Sequence, residues 1–115
     1  MQKHFRLRKP NDFYTVRAKG QSWHSKSVVL LTWRRDTENE EPSRFGFVVS
    51  KRIGKAVVRN KFKRKMRAAI MSQDISNGWD VVCIVKSGQP HLKVCKVSDS
   101  MVNLLQRANV IVGSD

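Results

Sequence analysis

The 115-residue sequence predicts an α+β domain in which helices cover one small sheet. Three observations lead there. Residues 27–33, 44–50 and 80–85 are runs of β-branched and bulky apolar side chains, the composition of strands. Val58, Phe62, Met66, Ala69 and Ile70 recur at spacings of three and four, and so do Met101, Leu104, Leu105 and Ala108, which is the period of one helix face. The length suits a single domain over residues 1–115, large enough for a core and too short for two.

Each element has its own signal. The opening Phe5-Arg6-Leu7-Arg8-Lys9 is basic and aperiodic, and reads as an extended arm. Pro10 and Asn11 offer a helix start, with Asn11 or Asp12 as cap, Phe13 and Val16 on one face, and Gly20 as the stop. After the strand at 27–33, residues 34–43 are polar apart from Pro42, which predicts a surface hairpin loop. The run 44–50 is then the returning strand, with Gly46 marking a bulge or a close backbone approach.

From Ala56 the period becomes helical, with Val58, Phe62 and Met66 toward the core and Arg59, Lys61, Lys63, Arg64, Lys65 and Arg67 on the edges and the opposite face. Asn77-Gly78 signals a turn, and the unbroken apolar run after Asp80 a buried strand. Ser87-Gly88-Gln89-Pro90 breaks the chain, and Ser98 or Asp99 caps a last helix. Periodicity alone therefore yields the order α-β-β-α-β-α.

The formal net charge is +14, and it is unevenly spread. Residues 42–73 carry ten Lys or Arg and no acid, residues 36–41 carry four acids and no base, and residues 74–115 balance four against four. Concentrated positive charge on a strand end, a turn and a helix draws a phosphate polymer and makes its binding salt-dependent through counterion release. Nucleic acid is the expected partner, and the charge alone does not distinguish DNA from RNA.

Other classes are disfavoured. No apolar stretch approaches the roughly 20 residues of a membrane span, and charges occupy the region where a signal peptide is apolar, so a cytoplasmic protein without membrane partner is expected. Cys83 and Cys95 read as two reduced thiols, and with His4, His24 and His91 far apart no zinc site is expected. A metal-dependent protein nuclease needs converging carboxylates, whereas Asp12, Asp74, Asp80 and Asp99 fall singly in different elements. Catalytic groups are thus expected from a partner. Phe13, Phe45, Phe47 and Trp33 are candidates for stacking on unpaired bases, with core packing as the competing role.

The segment Arg44-Phe45-Gly46-Phe47-Val48-Val49-Ser50-Lys51-Arg52-Ile53-Gly54-Lys55-Ala56-Val57-Val58-Arg59-Asn60-Lys61-Phe62-Lys63-Arg64 resembles the signature of the protein subunit of bacterial ribonuclease P. Arg6-Leu7-Arg8-Lys9, Asp12-Phe13 and Gly20 on one side, and Gly78-Trp79-Asp80-Val81-Val82 on the other, extend the likeness to nearly the whole chain. The resemblance implies an α-β-β-β-α-β-α sandwich whose four-stranded sheet contains a left-handed β-α-β crossover. It implies a subunit that binds the catalytic RNA and the 5′ leader of precursor tRNA and promotes endonucleolytic removal of that leader. The enzyme is then the holoenzyme, with its catalytic centre in the RNA, no catalytic residue in this chain, and Mg2+ held mainly by the RNA.

By the same resemblance Lys51, Arg52, Lys55, Arg59, Asn60, Lys61, Lys63, Arg64 and Arg67 contact the catalytic RNA, while Phe13, Arg17 and Leu31 lie in the leader-binding cleft. Two departures stand out. Lys61 replaces the second arginine of an Arg-Asn-Arg motif, keeping the charge and losing a bidentate fork. Arg17 and Leu31 occupy cleft positions that are often aromatic. The alternative from another class is a non-catalytic ribosomal or structural RNA-binding protein, since the same basic helix would serve there.

Overall fold

A computed structural model describes residues 5–7, 10–35, 41–87 and 93–111. Along the chain run β1 (Phe5–Arg6), α1 (Pro10–Lys19), β2 (Gln21–His24), β3 (Val28–Arg34), β4 (Arg44–Val49), α2 (Ala56–Met71), β5 (Trp79–Val85) and α3 (Val94–Arg107). The strands form one mixed sheet in the order β1-β4-β5-β3-β2. Four strands make its body, and β1 is a two-residue edge.

Three expectations about connection change. The extended arm is docked on the sheet, because Phe5 and Arg6 pair in parallel with Arg44 and Phe45, and the Leu7 N–H donates to the Phe45 carbonyl at 2.9 Å. Residues 34–43 do not close a hairpin. β3 and β4 both pair with β5, which lies between them, antiparallel to β3 and parallel to β4. A loop's polarity marks that it is on the surface, not which strand it leads to. The third change is β2, which periodicity missed. Gln21-Ser22-Trp23-His24 is mostly exposed and has no apolar alternation, and it is a strand because its backbone pairs with residues 29–32.

Caps shift too. Pro10 opens α1, where its missing N–H costs nothing, so Asn11 and Asp12 lie inside the first turn and do not cap it. α3 starts at Val94, before Ser98 and Asp99, and the buried Ser98 hydroxyl donates to the Cys95 carbonyl instead. That helix ends in a Schellman arrangement: Asn109 takes φ 62°, its N–H reaches the Gln106 carbonyl, and the Val110 N–H reaches the Leu105 carbonyl. Gly78, at φ 90°, supplies the left-handed residue of the turn into β5. The break at residues 88–90 lies outside the described residues, as do Arg8, Lys9, His4, His91 and residues 36–40 of the acidic run.

Strand alternation divides the core in two. On one face Val28, Leu30, Phe45, Val49, Val81, Cys83 and Val85 meet Phe62, Met66 and Ile70 of α2 and Val97, Met101, Leu104 and Leu105 of α3. On the other, Val82 joins Leu7 and Val16 beneath α1, with Phe13, Leu31, Trp33 and Ile84 packed around them. Val58 was expected on the core stripe but remains 40 % exposed. It sits in the first turn of α2 and packs on Gly54, where an added Cβ would stand 3.0 Å from the Val58 Cβ.

Asp80 is 1 % exposed, yet it is no isolated carboxylate. Arg44 grips it through Nε at 2.9 Å and Nη2 at 2.5 Å, and Arg35 Nε lies 3.2 Å from Oδ1, close enough for an ion pair though not aligned as a hydrogen bond. Arg44 Nη1 also reaches Asp12 at 3.4 Å, so the two carboxylates that sequence placed apart meet on one guanidinium. Hydrogen bonding to Asp80, outweighing the effect of burial, raises the Arg44 pKa above its ordinary value. This pairing fixes the start of α1 against β4 and β5.

Candidate RNA interface

α2 is amphipathic because Phe62, Met66 and Ile70, at intervals of four, are its buried residues. Spacing then dictates where the cations go. Asn60, Lys63, Arg64 and Arg67 fall on the side facing β4, and with Arg6, Leu7, Phe13 and the Phe45-Gly46-Phe47 strand segment they line a groove of about 530 Å3. Arg67 lies over the Phe47 ring, 5.3 Å from its centroid. Burial, and then the repulsion of Arg6, lowers the Arg67 pKa from the usual arginine value. Cations are thus held close together around an aromatic floor.

A second groove, of about 320 Å3, lies between α1 and the sheet and contains all three leader-cleft candidates, Phe13, Arg17 and Leu31. Leu31 pairs with Val82 across β3 and β5, and Val48 pairs with Ile84 across β4 and β5, so alternation brings their side chains to one apolar floor. Phe13 lines both grooves. It can do so because residue 46 is glycine: a Cβ there would stand 2.5 Å from Phe13 Cζ. Gly46 therefore marks the close approach that its place in a strand suggested.

The structure does not gather every candidate. Lys51, Arg52, Lys55 and Lys61 are exposed and line neither groove. Arg59 is half-buried, with its Nε enclosed and without a hydrogen bond in the protein. Phe45 is buried in the core while lining the floor of the cationic groove, and Trp33 packs beneath α1 with the Lys19 ammonium 5.8 Å from its ring centroid. Two further groove residues carry a weak signal in the sequence. Arg6 lies in the basic arm, whose docking required β1, and Tyr14 follows Phe13 directly but is out of step with the i, i+3 face.

Chemically this surface pairs a cationic groove with an apolar one over a sheet and places an aromatic ring at their junction, which suits backbone phosphates beside unstacked bases. It fits an RNA-binding class of protein. Residues 1–109 match the family described as Ribonuclease P. A ribonuclease P protein component from Roseiflexus castenholzii is 34% identical over 117 residues, covering 99% of this chain and 93% of the relative. One from Brevibacillus brevis is 36% identical over 113 residues, with 96% and 88% covered. Among solved structures, the RNase P protein of Staphylococcus aureus superposes with a TM-score of 0.79 at 29% identity, covering 94% of this chain and 98% of that one. The RNase P protein of Thermotoga maritima gives 0.74 at 30% identity, with 89% and 96% covered. The chain belongs to the ribonuclease P family of protein components, subunits of a tRNA-processing endoribonuclease.

Proposed function

We propose that the cationic groove, with the exposed Lys51, Arg52, Lys55 and Lys61 and the half-buried Arg59 in the turn before α2 and its first turns, binds the catalytic RNA, and that the apolar groove receives the single-stranded 5′ leader of precursor tRNA. The observation that carries this reading is Phe13, which lines both grooves and so joins a surface suited to phosphate to one suited to bases. The protein's contribution is positional: it holds the leader next to the RNA that cleaves it, raising precursor affinity and lowering the metal requirement. Mg2+ in this reading is ligated mainly by the RNA. In support, Asp12 and Asp80 are both engaged by Arg44.

The test is reconstitution with a bacterial ribonuclease P RNA and precursor tRNA at low magnesium. The protein is expected to stimulate leader removal. Absence of stimulation would overturn the reading, and cleavage by the protein without added RNA would place the chemistry in the protein.

A further inference from the structure

Tyr14, the chain's one tyrosine, lines the apolar groove yet packs little. It is 70 % exposed, whereas Phe13 is half-buried and Val16 fully enclosed. On the sheet side of the groove Val48 is 39 % exposed, and Leu31 and Ile84 are half-buried behind it. An uncovered apolar strip thus runs from helix to sheet, and such strips mark contact surfaces. Among the described residues, Tyr14 and Arg17 are the ones whose side chains bring polar atoms to this groove, a lining with few donors and acceptors to read a base edge. Arg17 follows Tyr14 by three residues, on the same side of α1. The groove also continues through Phe13 into the cationic one, and the net charge of +14 favours a polyanion over an apolar peptide.

We infer that Tyr14 is the outer stacking surface for one unpaired nucleobase of the leader, with Arg17 meeting the adjoining phosphate. The groove therefore tolerates any base at this position and requires only that a base be present. This rests on the groove being the leader site.

The test uses holoenzyme reconstituted with a bacterial ribonuclease P RNA and measures dissociation constants for leaderless tRNA, for precursor tRNA and for precursors each carrying one abasic leader nucleotide. Tyr14→Ala is expected to weaken precursor binding about tenfold, within the range for loss of one stacked base, and to leave leaderless tRNA unaffected. Tyr14→Phe should bind like the unaltered protein. One abasic position should cost the unaltered protein the same factor and cost Tyr14→Ala nothing more. Equal effects of Tyr14→Ala on precursor and leaderless tRNA would overturn the inference, as would abasic penalties identical in both proteins. If Phe13→Ala still shows a leader-specific loss, only the Tyr14 assignment falls. If neither variant does, the leader site itself falls. The exposure of Tyr14 keeps its variants folded, which thermal melting verifies.

Discussion

Phe13 reaches across β4 only because Gly46 presents no side chain there. Phe13→Ala should therefore weaken binding of leader-bearing precursor by roughly five- to a hundredfold, the range of one lost stacking contact, with little change for mature tRNA. Equal losses for both would assign the ring to packing alone. Gly46→Ala tests the same geometry from the other side. It adds apolar atoms, yet by displacing the ring it should cost about 1–3 kcal/mol in stability and reduce leader-dependent affinity. A variant that kept full leader affinity would disconnect Gly46 from the site.

The thiols offer a separate check. Burial pushes the Cys83 thiol far above its ordinary pKa, while Cys95 is exposed, so iodoacetamide should modify Cys95 in the native protein and Cys83 only after denaturation, as peptide mass spectrometry will show. Of these residues, Gly46 was legible in the sequence because a glycine inside a strand breaks a local rule, and Phe13 because it keeps helix spacing with Val16 and falls within the family resemblance. Tyr14 was not, since exposure outside the periodic face looks ordinary until the strands opposite it are placed.

At the level of elements, α2 and α3 were readable from their periods, because each buries a stripe against one sheet face. The sheet's order was not. The run 44–50 follows 27–33 in sequence and looks like its hairpin partner, but β5, 36 residues beyond Arg44 at Asp80, takes the position between them. Nothing local records so distant a pairing. What locks it is the Arg44–Asp80 contact, which ties β4 to β5 and, through Asp12, to α1.

Removing one partner of a buried ion pair costs about 3–5 kcal/mol. Arg35 remains beside Asp80, so Arg44→Met should lie near the lower end, about 3 kcal/mol by urea unfolding. Asp80→Asn in the same chain should recover part of the loss, since the buried carboxylate is then gone and Arg35 keeps its ion pair with Glu41. A cost for Arg44→Met below about 1 kcal/mol, or a double variant no better than the single one, would show that the pair does not hold these elements together.

Across the whole molecule, charge is sorted by side. The groove toward β4 holds Lys63, Arg64 and Arg67, whereas Lys65, two residues from both Lys63 and Arg67, lies in a groove between α2 and α3 on another side of the helix. Composition counts these cations alike, and only the helix's orientation on the sheet separates them. Each phosphate contact adds about one to the slope of log affinity against log salt, slightly less for a single strand. Arg64→Ala and Arg67→Ala should therefore each flatten the salt dependence of binding to the catalytic RNA by about one. Lys65→Ala should leave the slope unchanged, although it removes the same charge from the same helix. Filter-binding titrations across a salt series distinguish two physical pictures. A flattening by Lys65→Ala equal to that of Arg64→Ala would mean that the RNA responds to the diffuse field of a +14 protein. A flattening confined to the groove positions would mean that it seats between α2 and β4, in the groove that Phe13 also lines.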